Sequence, residues 1–411
     1  MPGTAVYRVT QGQGRDEMTE INRWLLPDGL DEALPDAARH LEGLRRRVLD
    51  QFDTWGYDLV MPPLAEYLES LLVGAGHALD LQTFKLTDQM NGRLMGVRAD
   101  LTPQVARIDA HRLKVEAPNR LCYVGSTLRT RADEWSGSRS PLQAGAELFG
   151  HDGLDSDLEI IRLMLATLEV CGVYEPSMDL GHVGIYRALA REAGLDNARE
   201  EAFFDQLQRK SVPEIEETLE AWEAEGMNAA VCRRLRALVD LNGDAGVIAT
   251  AREALDGAPA EVGAALDHLQ AVAERLEATQ PNVDLHVDLG ELRGYAYHTG
   301  LVFAVFVPGS GQAIARGGRY NDIGRVFGRA RAATGFSTDL RELLRRADLA
   351  PPVPRRTVRA PASGDVAMEA AIADLRARGN RVVRDLEGQT NESPADACLQ
   401  LRDGAWTVVE Y

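Results

Sequence analysis

A few polar residues in this chain have the types and spacing to hold a small zwitterion. Asp100 and Thr102 sit where an extended segment gives way to Pro103. Gln143, Gly145 and Glu147 are spaced by two, so on a strand they face the same side. A carboxylate and an amide side by side on a sheet face suit an ammonium or an imidazolium. Arg129 nearby suits a carboxylate, which a guanidinium can grip through two parallel bonds. Further on, ELRGYAYHTG adds Arg293, Tyr297 and His298. Two arginines, two acids, an amide and a hydroxyl together point to amino-acid binding. The residues alone leave a plainer reading open. Alternating polar residues also describe a solvated sheet face, a lone arginine a surface ion pair, and His298 a packed or solvated histidine. Gly317-Gly318 in ARGGRY reads as a tight turn or bulge.

The elements that must position these groups are legible in outline. Residues 1–25 are polar and Gly-rich at first. Residues 37–54 read as an amphipathic helix with Leu41, Leu44, Val48, Leu49 and Phe52 on one face. DLVMPP follows as a short strand stopped by Pro62 and Pro63. FKLTDQMNGRLMGVR reads as a hairpin turning at Asn91-Gly92, both at positive φ. Pro103 opens a helix that runs to about His111. Three extended segments follow, NRLCYVG, TLRTR and LQAGAELFG, with polar ADEWSGSRS looping between the last two. Residues 155–171 form a helix, and 186–280 read as helical throughout. Strands resume at 283–289, 297–307 and 312–316, and a last helix follows Gly335. PPVPRRTVRAP (351–361) reads as a linker to a small αβ unit with a helix at 364–378 and strands at 380–384 and 404–410. Strands and helices are segregated rather than alternating, which predicts an α+β fold on an antiparallel sheet. The expected divisions are 1–185, a helical insertion at 186–281, the return of the first domain at 282–347, and 348–411.

Composition narrows the class of function. A chain of 411 residues, 45% hydrophobic and 26% charged, is ordinary for a globular protein of two or three domains. No apolar run approaches the roughly 18 residues that span a membrane, and the N-terminus lacks a signal-peptide pattern. A cytoplasmic location is expected. The four cysteines are far apart, so neither a disulfide framework nor a structural zinc site is expected. A net charge of −18 repels phosphate backbones, which argues against nucleic acid. There is no GxxxxGK[ST], no GxGxxG after a strand and no HExxH, so no metal or cofactor is expected.

Taken in order, these stretches resemble histidyl-tRNA synthetase and its paralogs, which have the class II aminoacyl-tRNA synthetase fold. Gly56-Tyr57 through Pro63 and Glu66 resembles motif 1, and the resemblance places Pro63 at a dimer interface. VGSTLRTRADEWSGSRSPLQAGAELFG resembles motif 2, and ATGFSTDLREL motif 3. MGVRADLTPQVARI, ELRGYAYHTGLVF and ARGGRYNDI resemble further family segments, the last two being histidine-specific. The similarity covers roughly residues 20–345. It implies that Asp100, Thr102 and Gln143 hold the histidine ammonium, that Glu147 and His298 flank the imidazole, and that Arg293 faces the carboxylate. A shorter acid at Asp100, and His298 in place of a tyrosine, alter that pattern.

Other departures bear on catalysis. Motif 2 of a working synthetase reads Arg-x-Glu, and here it reads Arg129-Thr130-Arg131. The adenine-stacking phenylalanine falls at Pro141, which has no π face, and the triphosphate-gripping arginine of motif 3 falls at Glu342. Arg341 is adjacent, but one residue along a helix turns a side chain by about 100°. At an effective dielectric near 20, a charge pair at ~4 Å is worth ~4 kcal/mol, so Glu342 turns attraction for ATP into repulsion of similar order. The changes resemble the paralogs that lack synthesis activity, among them regulatory subunits of short-form ATP phosphoribosyltransferase. That implies a non-catalytic, allosteric chain that dimerises and assembles with a separate catalytic subunit. The complex would perform the first step of histidine biosynthesis under histidine feedback. The alternatives are another amino-acid-binding paralog and an active histidyl-tRNA synthetase.

Overall fold

In the computed structural model, the apolar stripe at the start of the chain forms the helix Pro35–Thr54, which buries Leu41, Leu44, Val48 and Phe52. Each such burial stabilises the fold by roughly 1.5–3 kcal/mol. The structure describes residues 24–72, 76–132, 137–290, 294, 297–321, 328–346, 349, 355–388 and 394–411. The chain divides into two units, Met1–Leu349 and Ala350–Tyr411.

The strands of the first unit are, in chain order, β1 (Asp58–Leu59), β2 (Ala65–Tyr67), β3 (Phe84–Thr87), β4 (Leu94–Val97), β5 (Asn119–Ser126), β6 (Leu142–Phe149), β7 (Ser177–His182), β8 (Asn242–Gly243), β9 (Asp284–Asp288), β10 (Leu301–Phe306), β11 (Ala315–Arg319) and β12 (Ala333–Asp339). β2, β4 and β3 make a small antiparallel sheet. The others form one sheet in the order β1-β5-β6-β12-β11-β10-β7-β9-β8. Its pairs are antiparallel except β1–β5 and β7–β9. This is the expected α+β architecture. One face carries the helices Pro35–Thr54 and Leu154–Val170, whose apolar residues merge with the sheet in a single core. The helices between Val183 and Thr279 join that same core through residues such as Leu189, Leu235 and Leu269.

Several expectations shift. TLRTR is not a strand. Thr127 N–H still donates to the Pro141 carbonyl (3.1 Å), but Pro141 has no N–H to return, so the β5–β6 ladder stops there. Arg129 lies beyond the strand, bridging to Thr83 and donating its N–H to the Arg139 carbonyl (2.8 Å). The hairpin closes by Asp88 N–H on the Arg93 carbonyl (2.8 Å), and Gly92 alone of the Asn91-Gly92 pair takes positive φ. Asn91 instead accepts the Arg93 N–H on its side chain (2.9 Å). Gly335 lies inside β12 rather than before a helix, and the last helix of this unit is Leu340–Arg346. Gly317 and Gly318 are strand residues of β11, not a turn. Tyr297 and His298 precede β10, because both N–H groups fold back onto the Gly294 carbonyl. β2, β7, β8 and β12 have no counterpart in the sequence reading, and β8 interrupts the stretch read as helical.

In the second unit, β13 (Thr357–Ala360) lies within the stretch read as a linker. It pairs in parallel with β14 (Arg381–Arg384) and β15 (Ala397–Arg402), and β16 (Ala405–Glu410) closes antiparallel on β15. The helix Val366–Ala377 buries Met368, Ile372 and Leu375 against Val358, Val382 and Leu399.

Candidate functional site

Sheet register brings the sequence candidates together. Gln143 and Glu147 point to one face of β6, and Tyr123 of β5 stands opposite Gly145 between them. Gly145 has a steric role, since a Cβ there would lie 2.4 Å from the Tyr123 hydroxyl. Across the other edge, Gly335 of β12 pairs with Glu147, and a Cβ there would fall 1.6 Å from Oε2. Glycine at both positions lets the carboxyl lie along the sheet.

The polar groups form two linked sets. Gln143 Nε2 donates to Asp100 Oδ1 (2.8 Å), and Gln143 Oε1 accepts the Leu101 N–H (3.0 Å). Asp100 Oδ1 also accepts the Thr102 N–H (3.1 Å) at the start of the helix Thr102–Arg107, with Pro103 in its first turn as expected. Thr102 Oγ1 lies 3.0 Å from the Tyr123 hydroxyl, which donates to Glu147 Oε1 (3.0 Å). The Tyr320 hydroxyl donates to Glu147 Oε2. The Tyr297 ring lies 5.1 Å from that of Tyr320 and 5.5 Å from His298. The buried Tyr297 hydroxyl has no hydrogen-bond partner among the described residues. Arg293 lies outside the described residues.

Electrostatics single out Glu147. It is 1% exposed and has no basic partner within ion-pair distance among the described residues. Burial pushes its pKa up to about 8, against the lowering effect of hydrogen bonds from Tyr320, Thr102 and Tyr123. Burial likewise raises the hydroxyls of Tyr123, Tyr297 and Tyr320. A buried acid, held at both oxygens with no cation beside it among the described residues, suits a ligand that brings its own N–H or positive charge.

A cavity of about 200 Å³ opens beside these groups, lined by Asp100, Arg129, Gln143, Pro141, Arg316 and Glu342 among others. Arg129 Nε reaches the Ala99 carbonyl only at 3.5 Å. Glu342 is part of the same lining, and Arg345 Nη2 (2.6 Å) and Arg346 pair with it. Burial would raise its pKa, but those two arginines hold it below the usual carboxylate range. Arg341 borders a different groove, with Leu26, Leu34 and Leu344. The helical rotation that separates Arg341 from Glu342 is thus realised in space. Arg131 is exposed, and Pro141 is buried in the cavity wall.

A family profile described as histidyl-tRNA synthetase matches residues 29–343, and one described as the ATP phosphoribosyltransferase subunit HisZ C-terminal domain matches residues 355–409. The chain is 57% identical to the ATP phosphoribosyltransferase regulatory subunit of Thioalkalivibrio sulfidiphilus, over 96% of its own length and 100% of the relative's. This chain belongs to the ATP phosphoribosyltransferase regulatory subunit family. Among solved structures, it superposes on an ATP phosphoribosyltransferase regulatory subunit/histidyl-tRNA synthetase from Bacillus halodurans with a TM-score of 0.76 at 28% identity, covering 90% of this chain and 94% of that one. A chain of the ATP phosphoribosyl transferase (HisG:HisZ) complex from Thermotoga maritima shares the fold, with a TM-score of 0.55 at 19% identity over 72% and 96% of the two chains. Membership in the regulatory-subunit family agrees with the departures at Arg131, Pro141 and Glu342.

Sequence reasoning missed Tyr123 and Tyr320 among the pocket residues. Tyr123 alternates with Leu121 and Gly125 along NRLCYVG, and Tyr320 ends ARGGRY, so both were in view. What linked them to Glu147 was strand pairing, and Tyr320 is 173 positions away. Among the described residues, no three His, Cys, Asp or Glu side chains are grouped to hold a metal, and no helix is long and apolar enough to cross a membrane. The cysteines are unpaired, and burial pushes the Cys122 and Cys171 thiols up to about 12.

Proposed function

We propose that this chain is the non-catalytic subunit of an ATP phosphoribosyltransferase, activating a separate short catalytic chain and binding L-histidine as a feedback signal. The observation that carries the histidine reading is Glu147, buried, clamped by Tyr123 and Tyr320, and without a cationic partner among the described residues. An imidazole N–H meets that acid, and the Tyr297 hydroxyl offers a further donor or acceptor. Asp100, Thr102 and Gln143 take the ammonium, while Arg129 and Arg293 take the carboxylate. His298 flanks the ring. In the adjoining cavity Glu342 stands where a triphosphate needs an arginine and engages Arg345 and Arg346 itself, so histidine is bound and not activated.

Allostery requires histidine to bind two states of the complex with different affinity, and a coupling of about 1–3 kcal/mol is usual. The chain acts as a dimer through the motif 1 face. There Pro63 is exposed beside Met61 and Leu64, while its carbonyl accepts from Gln104 Nε2 (2.8 Å). Localisation is cytoplasmic, with the partner enzyme.

The test is phosphoribosyl-ATP formation by a purified short catalytic chain, with and without this protein, under histidine titration. A large rise in rate on addition, suppressed by histidine, is the expected result. No rise and no co-elution on gel filtration would remove the partner from the proposal. ATP–pyrophosphate exchange dependent on histidine would favour a synthetase instead.

A further inference from the structure

Tyr320 and Arg319 are neighbours in sequence but serve opposite faces of the sheet. Tyr320 reaches Glu147 in the pocket. Arg319, only 4% exposed, turns toward the helices. Its Nε and Nη2 bond Asp157 (3.2 and 2.9 Å), and Nη2 also bonds Ser156 Oγ (2.8 Å) and the Gly153 carbonyl (3.2 Å). Nη1 bonds Asp152 (3.1 Å) and the His151 carbonyl (3.2 Å). Asp157 is fully buried, and its Oδ2 lies 3.2 Å from His268 Nε2 on the helix Ala260–Thr279. The His268 ring sits edge-on to His182, with centroids 5.9 Å apart. His182 Nδ1 accepts the Gly184 N–H (3.2 Å) and so caps the helix Val183–Glu192.

A second tether leaves the pocket from its other wall. Two residues after His298, the Gly300 carbonyl accepts the N–H of Val183 (3.0 Å), the first residue of that same helix. The Thr299 N–H donates to the Arg319 carbonyl (2.7 Å), which fastens the two tethers together. Both therefore end on the helices Val183–Glu192 and Ala260–Thr279, which pack on each other.

We infer that the Arg319–Asp157–His268 cluster and the Gly300–Val183 hydrogen bond carry occupancy of the histidine pocket to this helix pair. The inference rests on the pocket binding histidine. A ring seated against Tyr320 and His298 bears on the end of β11 and on the chain entering β10. A buried, charge-assisted network does not deform smoothly, so such a push moves its members together. By reciprocity, a partner that holds the helix pair in one position changes the affinity for histidine. Arg319, Asp157 and His268 are positioning residues and do not touch the ligand.

The experiment is calorimetric titration with L-histidine, followed by backbone hydrogen exchange of the full chain with and without it. Expected for the wild type are binding, and exchange slowed at least about threefold in 183–192 and 260–279. His268→Leu should bind histidine within about twofold of wild type yet lose that slowing. His268→Gln keeps a polar side chain beside Asp157 and should retain it. If the leucine variant does not fold, His268→Phe replaces it, keeping a ring against His182 and dropping only the link to Asp157. Wild-type binding with unchanged helices overturns the connection and leaves the pocket standing. Full slowing in the leucine or phenylalanine variant overturns the cluster as the route. No binding by the wild type removes the pocket reading, and this inference with it.

Discussion

The buried acid beyond Gln143 on β6 and the acid in the lining of the adjoining cavity, the two ends of the candidate site, treat charge in opposite ways. At one end, Glu147 is buried away from any basic partner among the described residues and is held by hydrogen bonds from two tyrosines. At the other, Glu342 is surrounded by arginines of its own helix and already satisfied. The first end is organised to take a ligand's positive or N–H-bearing group. The second offers a triphosphate no attraction. In the proposed reading, recognition of an amino acid depends on hydrogen bonds that reach Glu147 of β6 from β5 and from the residue after β11. Nucleotide recognition in the resembling synthetases hangs on a few cationic and aromatic groups, which single substitutions remove. One end of a site can therefore be lost without disturbing the other.

The comparison breaks most severely at Gly335. Gly335→Ala would place its Cβ 1.6 Å from Glu147 Oε2 and 2.8 Å from the Ala146 carbonyl, so moving the side chain alone cannot relieve the clash. Histidine affinity should fall more than about 100-fold by calorimetry, at the upper end of what misplacing a buried polar partner costs. Unchanged affinity in a folded variant would mean that the Glu147 end does not read the ligand.

Glu147→Gln is milder and separates charge from shape. A bound imidazole N–H or ammonium favours the ionised form of this acid, and loss of that acceptor should weaken histidine binding by about 10-fold, as for one charge-assisted hydrogen bond. It should also change how stability depends on pH. Burial raises the folded-state pKa of Glu147 to about 8 from the ordinary carboxyl value of 4.5. The folded protein thus holds a proton that the unfolded chain releases at lower pH. The resulting stability is present below the unfolded value and is lost as pH rises through about 8. Denaturation of the two proteins should therefore agree in slope near pH 4, and the wild type should lose stability relative to the glutamine variant between pH 5 and 8.5. Parallel curves throughout would show that Glu147 is ionised in the folded protein.

The smallest effect is expected at the nucleotide end. Glu342→Arg removes repulsion and restores attraction, which should let ATP bind measurably, by about 10-fold over wild type in fluorescent-nucleotide titration. Histidine affinity should stay the same. Pyrophosphate exchange should remain absent, because Pro141 and Arg131 are unchanged. A large loss of histidine affinity would show that the two ends are not independent.

Much of this was legible in the chain. The helix Pro35–Thr54 followed from its apolar period, and the shared face of Gln143 and Glu147 from their spacing by two. Pro103 marked its helix, and the departures from the synthetase pattern were visible at Pro141 and Glu342. Where local reading failed, a partner remote in sequence decided. Arg129 lies beyond the strand, where Thr83 and Arg139 are its backbone partners. Gly335 and Gly317-Gly318 read as breakers, yet pairing with β6 and β10 keeps them extended. Thr357–Ala360 followed a proline-rich run and read as linker until β14 and β15 claimed it on either side.

The sequence by itself determined which groups were available: an acid, an amide and arginines that suit an amino acid, and an acid where a triphosphate needs an arginine. These are properties of residue type and of periods two to four residues long. Only the tertiary structure decided that Tyr123 and Tyr320 close on Glu147, that two glycines make room for it, and that Arg319 behind the sheet grips Asp157. Strand order brings those groups together from up to 173 positions apart, and burial then fixes the proton on an acid that in water would be charged.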